Sequence, residues 1–420
     1  MFKKIFLLLL SMSLLSAILL CGCGDSGTLQ LSTYDDHYNP KEDFDPEAFS
    51  YFPGNPHYSI LNEGIFLNAG NYLFYSADLK SPAKPFCSKT TCLHNEESDQ
   101  VKIPACDAFT GLPDTCSFCA SYNGKLYITQ IGKTSPESPA STVFAELSAD
   151  GSVRKVLSPD LNTLKDDSIC LHRGNLFYIT DEYDTDGEKC SCIRAFSLKK
   201  KKGSVSLYKA SDPKAVIQRF LPYGNSLFIE EVLKAGTADE TSQLWRCDLK
   251  DGALEKISED SMSLFGAYQD TLVLRKGPEY LLYSVSENKI TAPHPYLNSF
   301  VEAHPEWNIL PYYIGEDITL VSYFDFSPEV MDLSPDLAVI GADGELAAVI
   351  PGCGWSPRPI VPLTVNTEHY LIITSKETAP YSIFAYRKED LINGITAPYV
   401  LLSVDDLSQD LQKSFILDQN

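Results

Sequence analysis

The chain repeats a polar turn followed by a short aromatic or aliphatic run. The clearest copies begin at Ala69, Asn123, Arg173 and Tyr223, for example Asn123-Gly-Lys-Leu-Tyr-Ile. Looser copies begin at Gln269, Gly315 and Thr367. Successive copies lie about 45–53 residues apart, a period typical of propeller blades. The pattern therefore predicts one repeating β unit from about residue 59 to about residue 405.

A second hairpin follows each copy. Its turns pair residues that tolerate positive φ: Asp150-Gly151, Lys202-Gly203, Asp251-Gly252, Asp343-Gly344, Asn393-Gly394 and the weaker Glu287-Asn288. Two hairpins per period predict a four-stranded antiparallel sheet, so we expect an all-β fold, a seven-bladed β-propeller. Six or eight blades also fit, because the unit near Leu272 is short, and a pair of β-sandwiches is the less favoured architecture. A strand after Pro40 could close the ring, and 403–412 is the one segment with a helical pattern.

The N-terminus has the pattern of an export signal. Lys3 and Lys4 precede an apolar run from Ile5 to Leu20, which ends in Cys21-Gly22-Cys23. Leu at −3 and Gly at −1 before Cys23 resemble the lipobox of bacterial lipoprotein precursors. The resemblance implies cleavage before Cys23, diacylation of its sulfur, and anchoring at the extracellular face of the cell membrane. An uncleaved transmembrane anchor is the alternative, disfavoured by the short run.

These signals predict four parts of the chain. Residues 1–22 would be the lipoprotein signal peptide, and 23–58 the lipidated cysteine with a polar tether, because this stretch has neither a β nor a helical period. Residues 59–405 would form the propeller, and 406–420 a C-terminal tail.

The net charge of the chain restricts the classes of molecule that it is expected to bind. Lys and Arg number 34 against 56 Asp and Glu, a formal net charge of −22. Removing Lys3 and Lys4 with the signal leaves 32 basic residues and a charge of −24. Such a surface repels nucleic acid. It also disfavours general adhesion to anionic lipid, so the membrane should be reached through the lipid at Cys23.

One constellation carries recognisable chemistry: Cys87, Cys92, His94 and Cys106, in the order C-x4-C-x-H…C. It resembles a motif in the first blade of propeller-like lipoproteins from Gram-positive gut bacteria. Three thiolates and one imidazole suit a closed, structural Zn²⁺ site. A disulfide, Cys92–Cys106 or Cys87–Cys106, is the competing interpretation for an exported protein, and unpaired thiols are the third. No cofactor is otherwise required.

The sequence lacks the common catalytic motifs. It contains no G-x-S-x-G, Walker loop, G-x-G-x-x-G or H-E-x-x-H. We therefore expect a non-enzymatic scaffold that binds an extracellular carbohydrate, peptide or protein through its long polar loops, 130–142, 181–190, 232–242 and 322–336. The alternative is an extracellular carbohydrate- or peptide-processing hydrolase or lyase with its site in the propeller channel.

Overall fold

The fold is taken from a computed structural model of the chain. It describes residues 29–48, 57–62, 64–94, 106–111, 118–132, 141–151, 153–157, 164–183, 187–201, 203–258, 261–305, 307–327, 330–353, 361–365, 368–375, 382–409 and 411–412. The predicted signal peptide and Cys23 lie outside these residues.

The strands form seven four-stranded antiparallel sheets, each made of four consecutive strands. Blades 1 and 2 comprise β1 (Tyr58–Leu61), β2 (Gly64–Ala69), β3 (Tyr72–Ser76), β4 (Lys84–Pro85), β5 (Cys119–Tyr122), β6 (Lys125–Gly132), β7 (Ser141–Ser148) and β8 (Arg154–Leu157). Blades 3 and 4 comprise β9 (Leu164–His172), β10 (Asn175–Tyr183), β11 (Lys189–Ser197), β12 (Ser204–Lys209), β13 (Val216–Tyr223), β14 (Ser226–Leu233), β15 (Thr241–Asp248) and β16 (Leu254–Lys256).

The remaining three blades follow the same plan. Blades 5 and 6 comprise β17 (Ser263–Tyr268), β18 (Thr271–Lys276), β19 (Glu279–Ser284), β20 (Lys289–Pro293), β21 (Asn308–Ile314), β22 (Ile318–Ser327), β23 (Val330–Gly341) and β24 (Leu346–Ile350). Blade 7 comprises β25 (Val361–Val365), β26 (Glu368–Ser375), β27 (Ser382–Arg387) and β28 (Tyr399–Ser403). The prediction of a seven-bladed propeller is confirmed.

The blades are arranged around a central channel. The first strands of neighbouring blades contact one another, as β1 does β5 and β25, so they line the channel. Buried side chains form seven clusters, one at each seam between neighbouring blades; Tyr127 and Tyr178, for example, meet between blades 2 and 3. Burial follows this layout: seven consecutive residues of β14 are buried, whereas all of β20, an outer strand, is exposed.

Antiparallel pairing divides the connections between two faces. Calling the strands of each blade A to D outward from the channel, the A–B and C–D turns lie on one face. The B–C connections and the links to the next blade lie on the other. We call these the A–B face and the B–C face. The A–B connections contain two or three residues in every blade, whereas the B–C connections of blades 2, 3, 4 and 7 contain five to eight.

Blade 1 is shifted by one strand. Its turn Gly70-Asn71 joins β2 and β3, whereas the matching turns of the other six blades join the first and second strands. The fourth strand is also split: Phe86 N donates to Leu73 O (2.8 Å), and after an excursion Leu73 N donates to Ala108 O (2.8 Å). Residues 87–107 are therefore an insertion within one strand position.

The ring closes without strand exchange. All four strands of blade 7 come from 361–403, so the expected closing strand after Pro40 is wrong for the described residues. Blades 1 and 7 instead share a buried apolar cluster that includes Ile65, Ile372 and Leu401. Ala83 N also donates to Leu401 O (2.7 Å). Side chain packing and isolated hydrogen bonds thus hold this seam.

Among the described residues, α-helices lie at Leu297–Ala303 and Lys388–Ile392, with 3-10 turns at Pro46–Ala48 and Val404–Asp406. Residues 409, 411 and 412 are also helical, within the segment 403–412 that has a helical pattern. The sequence pattern missed the first two helices, which lie in connections. Over the described part of the chain, no helix has the length and apolarity to cross a membrane.

Candidate functional site

The stretch interpreted as a tether is, over residues 29–48, packed against the A–B face; we call it the N-terminal segment. Backbone hydrogen bonds hold it to the A–B turn of blade 3: Ser32 N donates to Arg173 O (3.1 Å), and Arg173 N donates to Glu42 O (2.6 Å). Asn175 Nδ2 donates to Gln30 O (3.0 Å). The segment therefore has a fixed path across this blade.

A buried ion pair lies at the centre of this contact. Arg173 Nε donates to Asp43 Oδ1 (2.6 Å) and Nη2 to Asp43 Oδ2 (3.1 Å), and neither side chain is exposed to solvent. The same guanidinium donates to the carbonyls of Thr33 (3.3 Å) and His37 (3.0 Å). Such bidentate, fully bonded geometry is what a buried charge pair requires.

His172 adds a hydrogen bond that requires a neutral ring. Phe44 N donates to its Nδ1 (3.1 Å), so Nε2 carries the proton and donates to Gly224 O (2.9 Å). Burial lowers the pKa of His172 to about 4, although the Asp43 carboxylate opposes this. The imidazole is therefore neutral at pH 7 and joins the segment to blades 3 and 4.

Blade 4 contributes a second contact. Asn225 Nδ2 donates to Tyr34 O (2.6 Å) and Asp36 Oδ1 (3.0 Å), and the rings of Tyr38 and Tyr223 stack with centroids 6.0 Å apart. Gly224 has φ +53°, and a Cβ there would lie 2.3 Å from Asp36 O. Glycine is needed both for the turn and for the close approach.

The end of the segment reaches the channel. The 3-10 turn Pro46–Ala48 contacts β13, β17 and β25, the innermost strands of blades 4, 5 and 7. Glu47 Oε2 accepts from Lys388 Nζ (2.6 Å) and from the Tyr313 hydroxyl. The segment thus occupies the channel mouth on the A–B face.

The strand ends that flank three of the predicted binding loops, 130–142, 181–190 and 232–242, lie on the other face, at the B–C connections of blades 2, 3 and 4. Residues 133–140 and 184–186 of these loops lie outside the described residues, whereas 234–240 are described and exposed. The fourth, 322–336, is not a loop: β22 and β23 pair as far as Ser327–Val330, leaving only 328–329 between them. Blade 6 therefore extends a long hairpin on this face instead.

The predicted cysteine–histidine residues come together in the insertion of blade 1. The ligand atoms of Cys87, Cys92, His94 and Cys106 all lie within 4.8 Å of one another, and His94 Nδ1 is 3.4 Å from Cys106 Sγ. Ligands around a tetrahedral Zn²⁺ with Zn–S bonds of about 2.3 Å would be spaced by about 3.8 Å. The cluster could therefore bind a metal ion after only small movements.

Backbone and protonation also suit ligation. His94 adopts φ +51°, a disfavoured conformation for a residue with a side chain, and the Tyr72 hydroxyl donates to its carbonyl (3.0 Å). Burial lowers the pKa of His94, which keeps the imidazole neutral. Burial opposes ionisation of Cys87, but hydrogen bonds from the Lys89 and Asp107 backbone outweigh it and lower the pKa of its thiol.

The remaining thiol of the cluster and the core thiols behave differently. Burial raises the pKa of Cys106 to about 12, so this thiol ionises only with a compensating charge. Burial likewise raises the pKa of Cys353 to about 11 and that of Cys247 to about 11, far from the cluster. These core cysteines pack as small apolar residues.

Polar contacts tie the two ends of the insertion to each other and to blade 2. Ser88 Oγ donates to Asp107 Oδ2 (2.6 Å), and Lys89 Nζ lies 2.8 Å from Asp107 Oδ1. From blade 2, Arg154 donates to the Asp107 carbonyl and, through Nε, to Gln130 Oε1 (2.5 Å). A cavity of about 730 Å³ between these blades is lined by Tyr75, Phe86 and Arg154 among others.

The comparisons with known proteins concern the fold. No protein-family model matches the chain, and no curated protein matches it. Among solved structures, it resembles a tricorn protease (8% identity, TM-score 0.46, 88% of this chain and 37% of that one). It also resembles a prolyl endopeptidase (12% identity, TM-score 0.46, 89% of this chain and 50% of that one). A third similar structure is the propeller domain of the Trilobed protease from Pyrococcus furiosus, described as having an open velcro topology (10% identity, TM-score 0.43, 80% of this chain and 95% of that one). The chain spans half or less of the length of the first two proteins.

Proposed function

We propose that the chain is a lipid-anchored extracellular scaffold that binds a carbohydrate, peptide or protein through the B–C face of its propeller. One observation carries the proposal. The N-terminal segment, which follows the predicted lipidation site Cys23, covers the A–B face and its channel mouth. The anchored face is then turned to the membrane, and the B–C face with the longer connections is turned outward.

The B–C connection Lys234–Glu240 offers a direct test. It is an exposed link in blade 4, and the C–D turn Lys250–Gly252 of the same blade is the matched control on the opposite face. Each is replaced by a Gly/Ser linker of equal length, and binding is measured on glycan and extracellular-protein arrays. We expect only the first replacement to reduce binding.

Two results would count against this function. Clean negatives of the wild-type chain on both arrays contradict a binding scaffold. Equal loss of binding in both variants contradicts the assignment to the B–C face. Acylation is checked separately by mass spectrometry of the processed N-terminal peptide, where an unmodified Cys23 removes the anchor from the proposal.

For the cysteine–histidine cluster we propose a structural Zn²⁺, bound by Cys87, Cys92, His94 and Cys106. Four protein ligands leave no open position for water, so the ion would hold the insertion to blade 1 rather than catalyse a reaction. Two alternatives remain, a disulfide between two of the sulfurs and three free thiols. A disulfide would leave the third sulfur and His94 without a role.

Metal content separates these states. We expect about one Zn²⁺ per purified chain, abolished by Cys92→Ser but retained in Cys353→Ser, a buried cysteine of blades 6 and 7. Co²⁺ exchange should add a thiolate-to-metal absorption band. No metal, together with a protected cysteine pair in a thiol count of the denatured chain, would establish the disulfide instead.

The hydrolase or lyase alternative stays a prediction. It needs convergent carboxylates, or a histidine with a carboxylate, along the channel. At the A–B mouth the carboxylate of Glu47 is bound to Lys388 and Tyr313. Hydrolysis of model glycans or peptides by the purified chain, lost on removing a channel carboxylate, would replace the scaffold proposal.

A further inference from the structure

Four consecutive lysines, Lys199 to Lys202, stand out in this acidic chain. The first three, Lys199 to Lys201, are described and lie in the C–D connection of blade 3, between β11 and β12, and therefore on the A–B face. The side chains of Lys199 and Lys200 are exposed, and that of Lys201 is 32% exposed. The run thus lies on the face that the N-terminal segment covers.

A further lysine, Lys125, lies beside the run. Lys125 Nζ lies 2.7 Å from Glu146 Oε1 and Lys201 Nζ lies 2.7 Å from Glu146 Oε2, so one carboxylate is shared by two ammonium groups. Glu42, the other nearby carboxylate, accepts from Tyr122 and Ser32. Lys199 and Lys200, both exposed, add two ammonium groups to the same edge of the A–B face, in a chain with a net charge of −22.

The run also lies close to the start of the N-terminal segment. A cavity of about 650 Å³ is lined both by Gln30 and Ser32 and by Lys199 and Lys201. Leu198 N donates to Gly174 O (3.0 Å), which joins the lysine turn to the A–B turn that holds the segment. The two features are therefore parts of one surface.

Chain length limits the distance to the anchor. Five residues, 24–28, lie between Cys23 and Leu29, the first described residue. The six Cα–Cα steps from Cys23 to Leu29 span at most about 22 Å when fully extended. A diacylated Cys23 would therefore hold the lysine turn within reach of the lipid headgroups.

We propose that the turn with Lys199, Lys200 and Lys201 binds anionic lipid headgroups and thereby holds the A–B face of the propeller against the membrane. This inference rests on the lipid anchor of the proposed function and adds a second, electrostatic contact to it. Basic residues beside an anchor are attracted to anionic bilayers and not to neutral ones, and salt weakens the attraction. Two acyl chains already suffice for stable attachment, so the lysines would act on the orientation of the propeller rather than on its retention at the membrane.

Lysine footprinting of the acylated chain tests this contact. The protein is reconstituted into phosphatidylcholine nanodiscs, with or without phosphatidylglycerol, and lysine acylation rates are read by mass spectrometry. We expect Lys199 and Lys200 to react at least about fivefold more slowly on anionic discs, the factor for about 1 kcal/mol per lysine. Lys189, Lys234 and Lys276, on the B–C side, should react equally on both discs.

A pair of double variants tests orientation. Lys199→Gln with Lys200→Gln leaves the Lys201–Glu146 pair intact, and Lys250, on the C–D turn of blade 4, reports whether the A–B face stays against the membrane. The protection of Lys250 from acylation on anionic discs should be lost in this variant. The same protection should persist in the control variant, Lys234→Gln with Lys276→Gln.

The outcomes are distinguishable from those of the proposed function. If the chain is acylated and bound to discs, but Lys199 and Lys200 react equally on both lipids, this inference is wrong and the anchor stands. If Lys250 stays protected in the Lys199/Lys200 variant, the lysines do not orient the propeller. If the chain carries no lipid and stays off both discs, the proposed anchor fails and this inference fails with it.

Discussion

Arg173 is the residue on which the N-terminal segment depends most. Its guanidinium meets the Asp43 carboxylate with no exposure of either side chain, and it also binds carbonyls of the segment. Removing one member of a buried pair leaves the other charged and unpaired, which costs about 3–5 kcal/mol. The polar sequence of the segment is thus compatible with tight packing, because each buried charge has its partner.

Asp43→Ala should therefore lower the free energy of unfolding by about 3–5 kcal/mol, measured by denaturant titration. Asp35→Asn, at an exposed carboxylate of the same segment, should stay within about 0.5 kcal/mol of wild type. Similar values for the two variants would show that the segment contributes little to stability.

His172 makes the same contact sensitive to acid. Its folded pKa of about 4 lies below the ordinary value of 6.5. The unfolded chain therefore binds the extra proton between these two values, and stability falls as pH falls from about 6.5 to about 4. The loss attributable to this one group is at most about 3 kcal/mol.

We expect thermal melting of wild type to shift down across this pH window, and to shift less in His172→Gln, which cannot gain the proton. His37→Gln, at an exposed histidine of the same segment, should follow wild type. Buried His294 also has a pKa lowered to about 4 by burial, so part of the acid loss should remain. A parallel loss in His172→Gln and wild type would exclude His172 as a source.

At the scale of elements, the A–B turns share one backbone conformation but differ in what they contact. Gly124 in blade 2 and Gly224 in blade 4 both have positive φ, +70° and +53°. A Cβ at Gly124 meets nothing within 4 Å, whereas one at Gly224 would lie 2.3 Å from Asp36 O. Of these two glycines, only Gly224 lies directly against the N-terminal segment.

Gly124→Ala and Gly224→Ala share the cost of left-handed backbone, about 1–2 kcal/mol. Gly224→Ala should in addition displace the segment, seen as faster protease cleavage within residues 29–48 while the propeller stays folded by circular dichroism. Equal cleavage in both variants would contradict the close approach of Asp36.

The repeated turn was enough to predict blades, because each copy selects the same hairpin. The same turn could not reveal that Gly70-Asn71 joins the second and third strands, since that depends on β1, which precedes it. The cluster of Cys87, Cys92, His94 and Cys106 was visible as ligand-type residues at short spacing. Arg173 was not, because its partner Asp43 is 130 residues away and lies in a stretch without periodicity.

At the scale of the molecule, charge and ring closure act together. A net charge of −22 gives self-repulsion across a compact ring. In the described part of the chain, the seam between blades 1 and 7 has no exchanged strand to resist opening. Buried contacts such as Tyr58 with Thr374, whose hydroxyls lie 2.5 Å apart, hold that seam.

Thermal melting should therefore rise between very low ionic strength and about 0.15 M NaCl, where charges more than about 8 Å apart are screened. The loss of stability caused by Asp43→Ala should be unchanged by the same salt, because the Asp43–Arg173 ion pair is buried. A salt-independent melting temperature in wild type would show that self-repulsion is already offset locally.

The position of residues 29–48 also sets an order of events during synthesis. They leave the ribosome before any blade exists, yet their partners Arg173, Asn225, Tyr313 and Lys388 are spread over most of the remaining chain. Residues 30–43 can dock once blades 3 and 4 exist, but Glu47 finds its partners Tyr313 and Lys388 only after blades 6 and 7 are made. Complete docking of the first part of the domain to be made therefore marks a finished ring.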